Sequence, residues 1–158
     1  MSILETRHQH WADEAACARA ATALGRRAAL RDATIELHGP LGAGKTTFAR
    51  HLLRALGVQG HVKSPTYALM EPYEVATAEG PLAVSHFDFY RFDDPQEWEE
   101  AGFREVFATP GLKLVEWPEK AAGLLPEPDL SVAIEPQSTE ARAVRLEARS
   151  ARGRELLA

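Results

Sequence analysis

The residues with the clearest chemical potential are the eight at positions 39–46, G-P-L-G-A-G-K-T. They match G-x-x-x-x-G-K-[ST] at every fixed position, between a predicted strand and a predicted helix. The glycines let the backbone curl and direct its N–H groups inward, and the helix start adds positive potential. Lys45 supplies a cation to the β- and γ-phosphates, and the Thr46 hydroxyl is a Mg²⁺ ligand. We therefore predict a nucleoside triphosphate site that includes Gly39, Pro40, Leu41, Gly42, Ala43, Gly44, Lys45, Thr46 and Thr47.

A phosphate loop needs a second acidic residue that supports Mg²⁺ and positions water, usually at the end of a buried strand. Asp88 ends the stretch L-A-V-S-H-F-D, and Glu116 ends the more apolar stretch L-K-L-V-E. Spacing alone does not choose between them, so both are candidates.

Two further stretches have competing interpretations. Ser64, Pro65 and Thr66 follow the first helix of the site, where hydroxyls can sense a γ-phosphate; taken alone, a turn formed around Pro65 explains them better. Trp117 directly follows Glu116, and it either covers an edge of the core or packs beside the nucleotide.

The type of nucleotide is narrowed by what the sequence lacks. The chain contains no asparagine, so the guanine-reading motif N-K-x-D is absent, and no D-x-x-G follows the loop. These absences argue against a standard GTPase and favour ATP.

The elements that position these residues alternate along the chain. Strands are predicted at residues 3–8, 33–39, 66–75, 81–92, 112–117, 130–136 and 141–149, the third and fourth forming a hairpin. Helical segments are predicted from Asp13 to about Ala29, at 45–56, within 94–108, from Pro118 and from about 151. This order indicates a single α/β domain over residues 1–158, a three-layer P-loop NTPase-like fold with a mostly parallel central sheet and some antiparallel strands.

Bulk composition narrows the class of protein. The chain has 158 residues, a net charge of -5 and a pI of about 5.7, which argues against a general nucleic-acid binder. Its one cysteine, Cys17, lies among alanines, so we expect a buried core residue in a reducing compartment. The sequence shows no signal peptide and no apolar run long enough to cross a bilayer, so we expect a cytoplasmic protein with no membrane partner.

Four stretches occur in a specific order: GPLGAGKTTFAR, SPTYALMEPYE, HFDFYRF and EWPEK. This order resembles the TsaE (formerly YjeE) family, the bacterial ATPases required for the threonylcarbamoyladenosine (t6A) modification of tRNA. The resemblance covers roughly residues 5–146. The phosphate loop alone is generic, whereas S-P-T-[FY] followed by H-x-D-x-Y-R and E-W is much more specific.

The resemblance implies a role for each matched position. Residues 39–45 would bind the ATP phosphates and Thr46 would bind Mg²⁺. Asp88 would support the metal or its waters, and Glu116 would be a direct ligand or would orient the attacking water. The remaining matches are Trp117 beside the nucleotide, a switch-like loop at Ser64, Pro65 and Thr66, and the pattern residues Tyr90 and Arg91.

The resemblance also implies partners. ATP binding or hydrolysis would support or reset the TsaB–TsaD transferase complex, so tRNA would be met only through that complex. Apart from the resemblance, we expect slow hydrolysis by the chain alone, because the sequence shows no obvious arginine finger near the loop. The family tends to carry Ser or Thr near the start of its first helix, close to the adenine. This chain has W-A-D-E-A-A-C-A there, which leaves backbone groups or Glu14 as candidates.

The sequence suggests two alternative functions. A small-molecule kinase of this size usually needs an arginine-bearing lid and an acceptor pocket, but here a hairpin follows the loop and the arginines come late. A direct tRNA binder would use the C-terminal arginines, although Glu147 and Glu155 interrupt them and favour a solvated face. Those arginines are Arg142, Arg145, Arg149, Arg152 and Arg154.

Overall fold

The computed structural model describes residues 2–62, 65 and 67–158. Its strands are β1 (Glu5–Trp11), β2 (Thr34–His38), β3 (Met70–Thr77), β4 (Gly80–Asp88), β5 (Leu112–Glu116), β6 (Leu130–Pro136) and β7 (Arg142–Ala148). Its α-helices are α1 (Glu14–Gly25), α2 (Lys45–Leu56), α3 (Pro95–Ala101), α4 (Phe103–Ala108) and α5 (Ala151–Leu157). Two short 3₁₀ helices occupy Ala28–Asp32 and Pro118–Ala121.

The strands form one sheet in the order β1-β7-β6-β2-β5-β4-β3. The four central strands β6, β2, β5 and β4 are parallel, and β1, β7 and β3 pair antiparallel at the two sides. The mixed α/β fold with a parallel centre is therefore as predicted, including the hairpin of β3 and β4. Every residue of β5 is buried, as expected for a parallel strand covered on both faces.

Helices cover the two faces of the sheet. Alternate residues of β5 point to opposite faces, so Leu114 belongs to one core and Val115 to the other. Leu52 and Leu53 of α2 join the first core, with residues of α1. Trp98 of α3 and Phe103 of α4 join the second, which is rich in stacked aromatic rings. These contacts make the three predicted layers.

The helix boundaries follow local signals with one exception. The Asp13 carboxylate caps α1 by accepting from the N–H of Ala16, and Gly57, with a φ of 110°, ends α2 where predicted. The prediction that α1 continues to about Ala29 is wrong. The α-helix ends at Gly25, and the chain turns into a 3₁₀ helix that carries Leu30 into the core at 2% exposure.

The topology places the predicted site residues together at one end of the sheet. The glycine loop follows β2, Asp88 ends β4 and Glu116 ends β5. In the parallel register Asp88 lies opposite Glu116, and Glu116 lies opposite Leu37 of β2. Ligands of open α/β sheets bind at this carboxyl edge. None of the described helices is both long and apolar enough to cross a membrane.

Candidate nucleotide-binding site

The loop between β2 and α2 has the conformation that its glycines permit. Gly39, Gly42 and Gly44 have φ values of 146°, 81° and 107°, and the N–H of Ala43 donates to the carbonyl of Pro40 at 3.0 Å. A Cβ at Gly39 would lie 2.5 Å from the Ile134 carbonyl oxygen of β6, so only glycine fits there. The loop leads directly into the N-terminus of α2, which favours a bound anion.

Lys45 is held at the mouth of this loop. Its Nζ donates to the carbonyl of Gly39 at 2.6 Å and lies 3.3 Å from the centroid of the Trp117 ring. The residue is only 5% exposed, and burial lowers the pKa of its ammonium group while Glu116, Glu119 and Asp88 oppose that shift. Among the described residues the cation has no direct carboxylate partner, so it is available to phosphate oxygens at the loop.

Thr46 and Glu116 come from different elements and meet in the site. The Thr46 Oγ1 hydroxyl donates to Glu116 Oε1 at 2.7 Å. On the other side of the same carboxylate, His86 Nε2 lies 2.6 Å from Oε2. The Glu116 carboxylate thus bridges the first turn of α2 and the neighbouring strand β4.

Asp88 lies beside Glu116 at the end of β4 and is 5% exposed. Its Oδ1 accepts from the backbone N–H of Tyr90 at 2.9 Å. Burial raises the pKa of the Asp88 carboxyl, and the Glu116 charge adds to that effect, while the Tyr90 N–H, His86 and Lys45 oppose it. A nearby cation would relieve this cost of ionisation.

These oxygen groups suit a magnesium ion. A hydroxyl and two carboxylates are hard donors, and Mg²⁺ in nucleotide enzymes usually takes only one or two carboxylates beside phosphate oxygens and water. The residues present therefore fit Mg²⁺ bound together with a nucleotide.

Trp117 combines an unusual backbone with a place in the site. It has φ 56° and ψ 48°, in the left-handed region that non-glycine residues seldom adopt, just before the 3₁₀ helix Pro118–Ala121. Its ring packs against Lys45 and contacts the Tyr90 ring at 4.9 Å. The ring also packs against the aromatic core beside α3 and α4, so it lines the cavity and covers an edge of the core at the same time, and its contact with a nucleotide stays a prediction.

A cavity of about 400 Å³ opens over the loop. Among the predicted site residues, Gly39 and Pro40 begin the loop, and Ser64 and Thr66 lie outside the described residues. Pro65 is buried, and its carbonyl accepts from the N–H of Leu69 at 2.7 Å. The predicted residues that line the cavity are Leu41, Gly42, Ala43, Gly44, Lys45, Thr46, Thr47, Asp88, Glu116 and Trp117, together with Tyr90 and Arg91.

A second cavity of about 190 Å³ shares Ala43, Gly44 and Thr47 with the first. The start of α1 lines it through Glu14 and Cys17, and burial raises the pKa of the Cys17 thiol to about 11. The thiol is therefore protonated at neutral pH and unreactive, as expected for a core residue.

Two residues make contacts at the site that the sequence did not predict. Arg142 of β7 lines the second cavity, and its Nε donates to the carbonyl of Ala43 at 2.7 Å. It lies 99 positions from Ala43, and no local pattern indicates the contact. His86 is the first residue of the H-x-D-x-Y-R stretch and lies two residues before Asp88 on a strand, and therefore on the same face, but the sequence analysis gave it no role.

Comparison with known proteins shows the family of this chain. The family described as threonylcarbamoyl adenosine biosynthesis protein TsaE matches residues 11–144. The tRNA threonylcarbamoyladenosine biosynthesis protein TsaE of Haemophilus influenzae is 45% identical over 123 residues, covering 78% of this chain and 75% of that protein. The protein of the same name from Bacillus subtilis is 36% identical over 110 residues, 70% of this chain and 66% of that protein. The crystal structure of Bacillus subtilis YdiB superposes with a TM-score of 0.77 at 24% identity over 99% of this chain and 95% of that one, which shows a shared fold.

Proposed function

The chain belongs to the TsaE family, whose members act in threonylcarbamoyl adenosine biosynthesis, and we propose that it does so by binding and hydrolysing ATP with Mg²⁺. The observation that carries this proposal is the meeting of Lys45, Thr46 and Glu116 at the mouth of the glycine loop. Lys45 and Thr46 come from the first turn of α2, and Glu116 comes from the end of β5. Their convergence supplies phosphate-binding, hydroxyl and carboxylate functions within one cavity.

The residues have separate tasks in this reaction. Loop N–H groups and the α2 N-terminus bind the phosphates, and Lys45 exchanges the Gly39 carbonyl for phosphate oxygens. Thr46 and Glu116 would hold the Mg²⁺ ion. Asp88 and Glu116 order the water that attacks the γ-phosphorus, so that ATP and water give ADP and phosphate. Bound Mg²⁺ would neutralise charge on the β- and γ-phosphate oxygens.

We assign the nucleotide base to the second cavity, because it adjoins the phosphate loop at Ala43, Gly44 and Thr47. The start of α1 contributes Glu14 and Cys17 to its lining but no hydroxyl, and the hydroxyl residues of this cavity are Thr47 and Thr139. Arg142 borders the same cavity and fixes the Ala43 carbonyl. The base is thus held by backbone and by Glu14, Cys17 and Arg142.

We further propose that hydrolysis is slow in the isolated chain and that TsaB and TsaD are its partners in the cytoplasm. Arg91 is the only arginine lining the larger cavity among the described residues, and its guanidinium carbon lies 4.8 Å from the Tyr67 ring centroid. That contact holds its charge on an aromatic face instead of on a phosphate. In this proposal the chain meets tRNA only through the TsaB–TsaD complex.

The test measures phosphate release from ATP by the purified chain with Mg²⁺ or with EDTA. We expect Lys45→Ala and Glu116→Gln to lower the rate at least tenfold and Mg²⁺ removal to abolish it. Glu119→Gln is the matched control, because this exposed acid also neighbours Lys45 but lies outside the cavity lining. Unchanged rates in Lys45→Ala and Glu116→Gln would refute the assignment of the site.

The partners need a separate experiment. Adding TsaB and TsaD from the same source is expected to raise the ATPase rate of the chain, and Glu116→Gln is expected to remove that increase. A rate that does not respond to TsaB and TsaD would refute the partner proposal while leaving the ATP site intact. Transfer of the γ-phosphate to a small metabolite instead of to water would favour the kinase.

A further inference from the structure

His86 is a fully buried polar residue next to the site, with 0% of its surface exposed. Its Nε2 lies 2.6 Å from Glu116 Oε2. Its Nδ1 is buried too and meets no hydrogen-bond partner among the described residues. Since buried polar groups are normally satisfied, an imidazole whose single hydrogen bond goes to a site carboxylate needs an explanation beyond packing.

The sheet register explains how this contact forms. His86 lies on β4 opposite Leu114, and Asp88 lies opposite Glu116, so the imidazole reaches Glu116 diagonally from the neighbouring parallel strand. The two oxygens of Glu116 then have different surroundings. Oε1 accepts from Thr46, which lines the cavity with Glu116, whereas Oε2 accepts from His86, which lies outside that lining.

We propose that His86 is a positioning residue that fixes the Glu116 carboxylate for metal binding. Its Nε2–H anchors Oε2 on the interior side and prevents the carboxylate from rotating, so that Oε1 and the Thr46 hydroxyl stay at the cavity. The inference rests on the proposed function, since it assigns Glu116 to the Mg²⁺ of an ATP site. Hydrogen bonds that orient metal-binding carboxylates typically change metal affinity by about 10- to 100-fold.

The test follows Mn²⁺ binding by electron paramagnetic resonance in the presence of saturating ADP, using the full chain. His86→Gln keeps an N–H donor near the position of Nε2, His86→Asn places its donor near Nδ1, and His86→Leu has none. We expect Mn²⁺ affinity to fall about tenfold or more in the Leu and Asn variants and by less than about threefold in the Gln variant. ADP affinity measured in EDTA should not change in any of them.

The variants also separate this role from simple packing. If His86→Gln weakens Mn²⁺ binding as much as His86→Leu, or if none of the three weakens it, the positioning role is wrong. Should the Leu variant fail to fold, the contrast between Gln and Asn decides in the same way.

Glu116→Gln distinguishes failure of this inference from failure of the proposed function. A tenfold loss of Mn²⁺ affinity in Glu116→Gln with none in the His86 variants overturns only the inference. No loss in Glu116→Gln overturns the assignment of Glu116 to the metal, and the inference falls with it.

Discussion

At the scale of single residues, Lys45 and Trp117 form a contact that ligand binding should disturb. The ammonium lies 3.3 Å from the indole centroid, and phosphate oxygens would compete with the ring for it. We expect Mg²⁺ with pyrophosphate to change the tryptophan fluorescence of the chain. Pyrophosphate has no base, so it would not enter the second cavity, which Trp11 lines.

Trp117→Phe should abolish this fluorescence response, whereas Trp98→Phe should keep it. Trp98 is the matched control, because it is 2% exposed and belongs to the aromatic core of α3 and α4. A response that survives Trp117→Phe would show that pyrophosphate does not alter the surroundings of this ring.

Asp88 gives a prediction about pH. Burial raises the pKa of its carboxyl above the ordinary 3.8, so the folded state holds its proton more tightly than the unfolded state. This residue therefore makes the free energy of unfolding fall as pH rises through the raised pKa, and below 3.8 the penalty is absent. Without Mg²⁺ and nucleotide, Asp88→Asn should stabilise the chain at pH 8 and lose that advantage toward pH 4.

Urea unfolding in EDTA at several pH values measures the effect. Asp93→Asn is the control, because Asp93 is exposed and should show no comparable gain at pH 8. Equal stability of Asp88→Asn and the wild type at pH 8 would contradict the predicted cost of ionising Asp88.

At the scale of elements, the junction between β4 and β5 depends on Gly111. Its φ is 137°, and a Cβ there would lie 2.6 Å from the Ala83 carbonyl oxygen of β4. Gly123 also has a positive φ, 86°, but a Cβ there would meet nothing within 4 Å. We expect Gly123→Ala to cost about 1 kcal/mol from backbone strain, and Gly111→Ala about 3 kcal/mol or more because overpacking is added.

The comparison of these two alanine variants by thermal or urea unfolding isolates the close approach. Similar losses of stability in both would mean that the β4–β5 edge moves apart without cost.

Helix boundaries can be predicted from the sequence where local signals set them, and not where tertiary packing does. The boundaries of α2 follow from the glycine motif at one end and Gly57 at the other, both of which are local signals. The predicted end of α1 was wrong because Leu30 packs into the core from a separate 3₁₀ helix. Tertiary packing decides that burial, and the local sequence does not show it.

Some parts of the candidate site can also be predicted from local sequence, whereas others depend on tertiary contacts. The spacing of the glycines, Lys45 and Thr46 predicts the loop at residues 39–47, and the positions of Asp88 and Glu116 at strand ends make them candidates. The contacts of His86 with Glu116 and of Arg142 with Ala43 depend on which strands become neighbours, and no single segment encodes that.

At the scale of the whole molecule, the C-terminal arginines do not form a free basic face. Ion pairs join Arg145 and Arg149 to Glu147, Arg152 to Asp129, and Arg154 to Glu5, at 3.1–3.8 Å. With a net charge of -5, the chain offers little to release phosphate counterions. We therefore expect the isolated chain to cause no shift of tRNA in a gel at physiological salt. Retardation that disappears steeply as salt rises would contradict this expectation and support direct binding.

The order of strands has a consequence for biosynthesis on the ribosome. β1 precedes the six other described strands in the chain, whereas β7, the described strand that pairs with it, is the last of them, and Glu5 pairs with Ala148. The phosphate loop also depends on late strands, because Gly39 packs against Ile134 of β6 and the Ala43 carbonyl accepts a hydrogen bond from Arg142 of β7. A nascent chain stalled after Glu116 would carry every predicted phosphate and metal ligand yet lack the strands that shape the loop. Nucleotide affinity should therefore arise only after translation has passed β7.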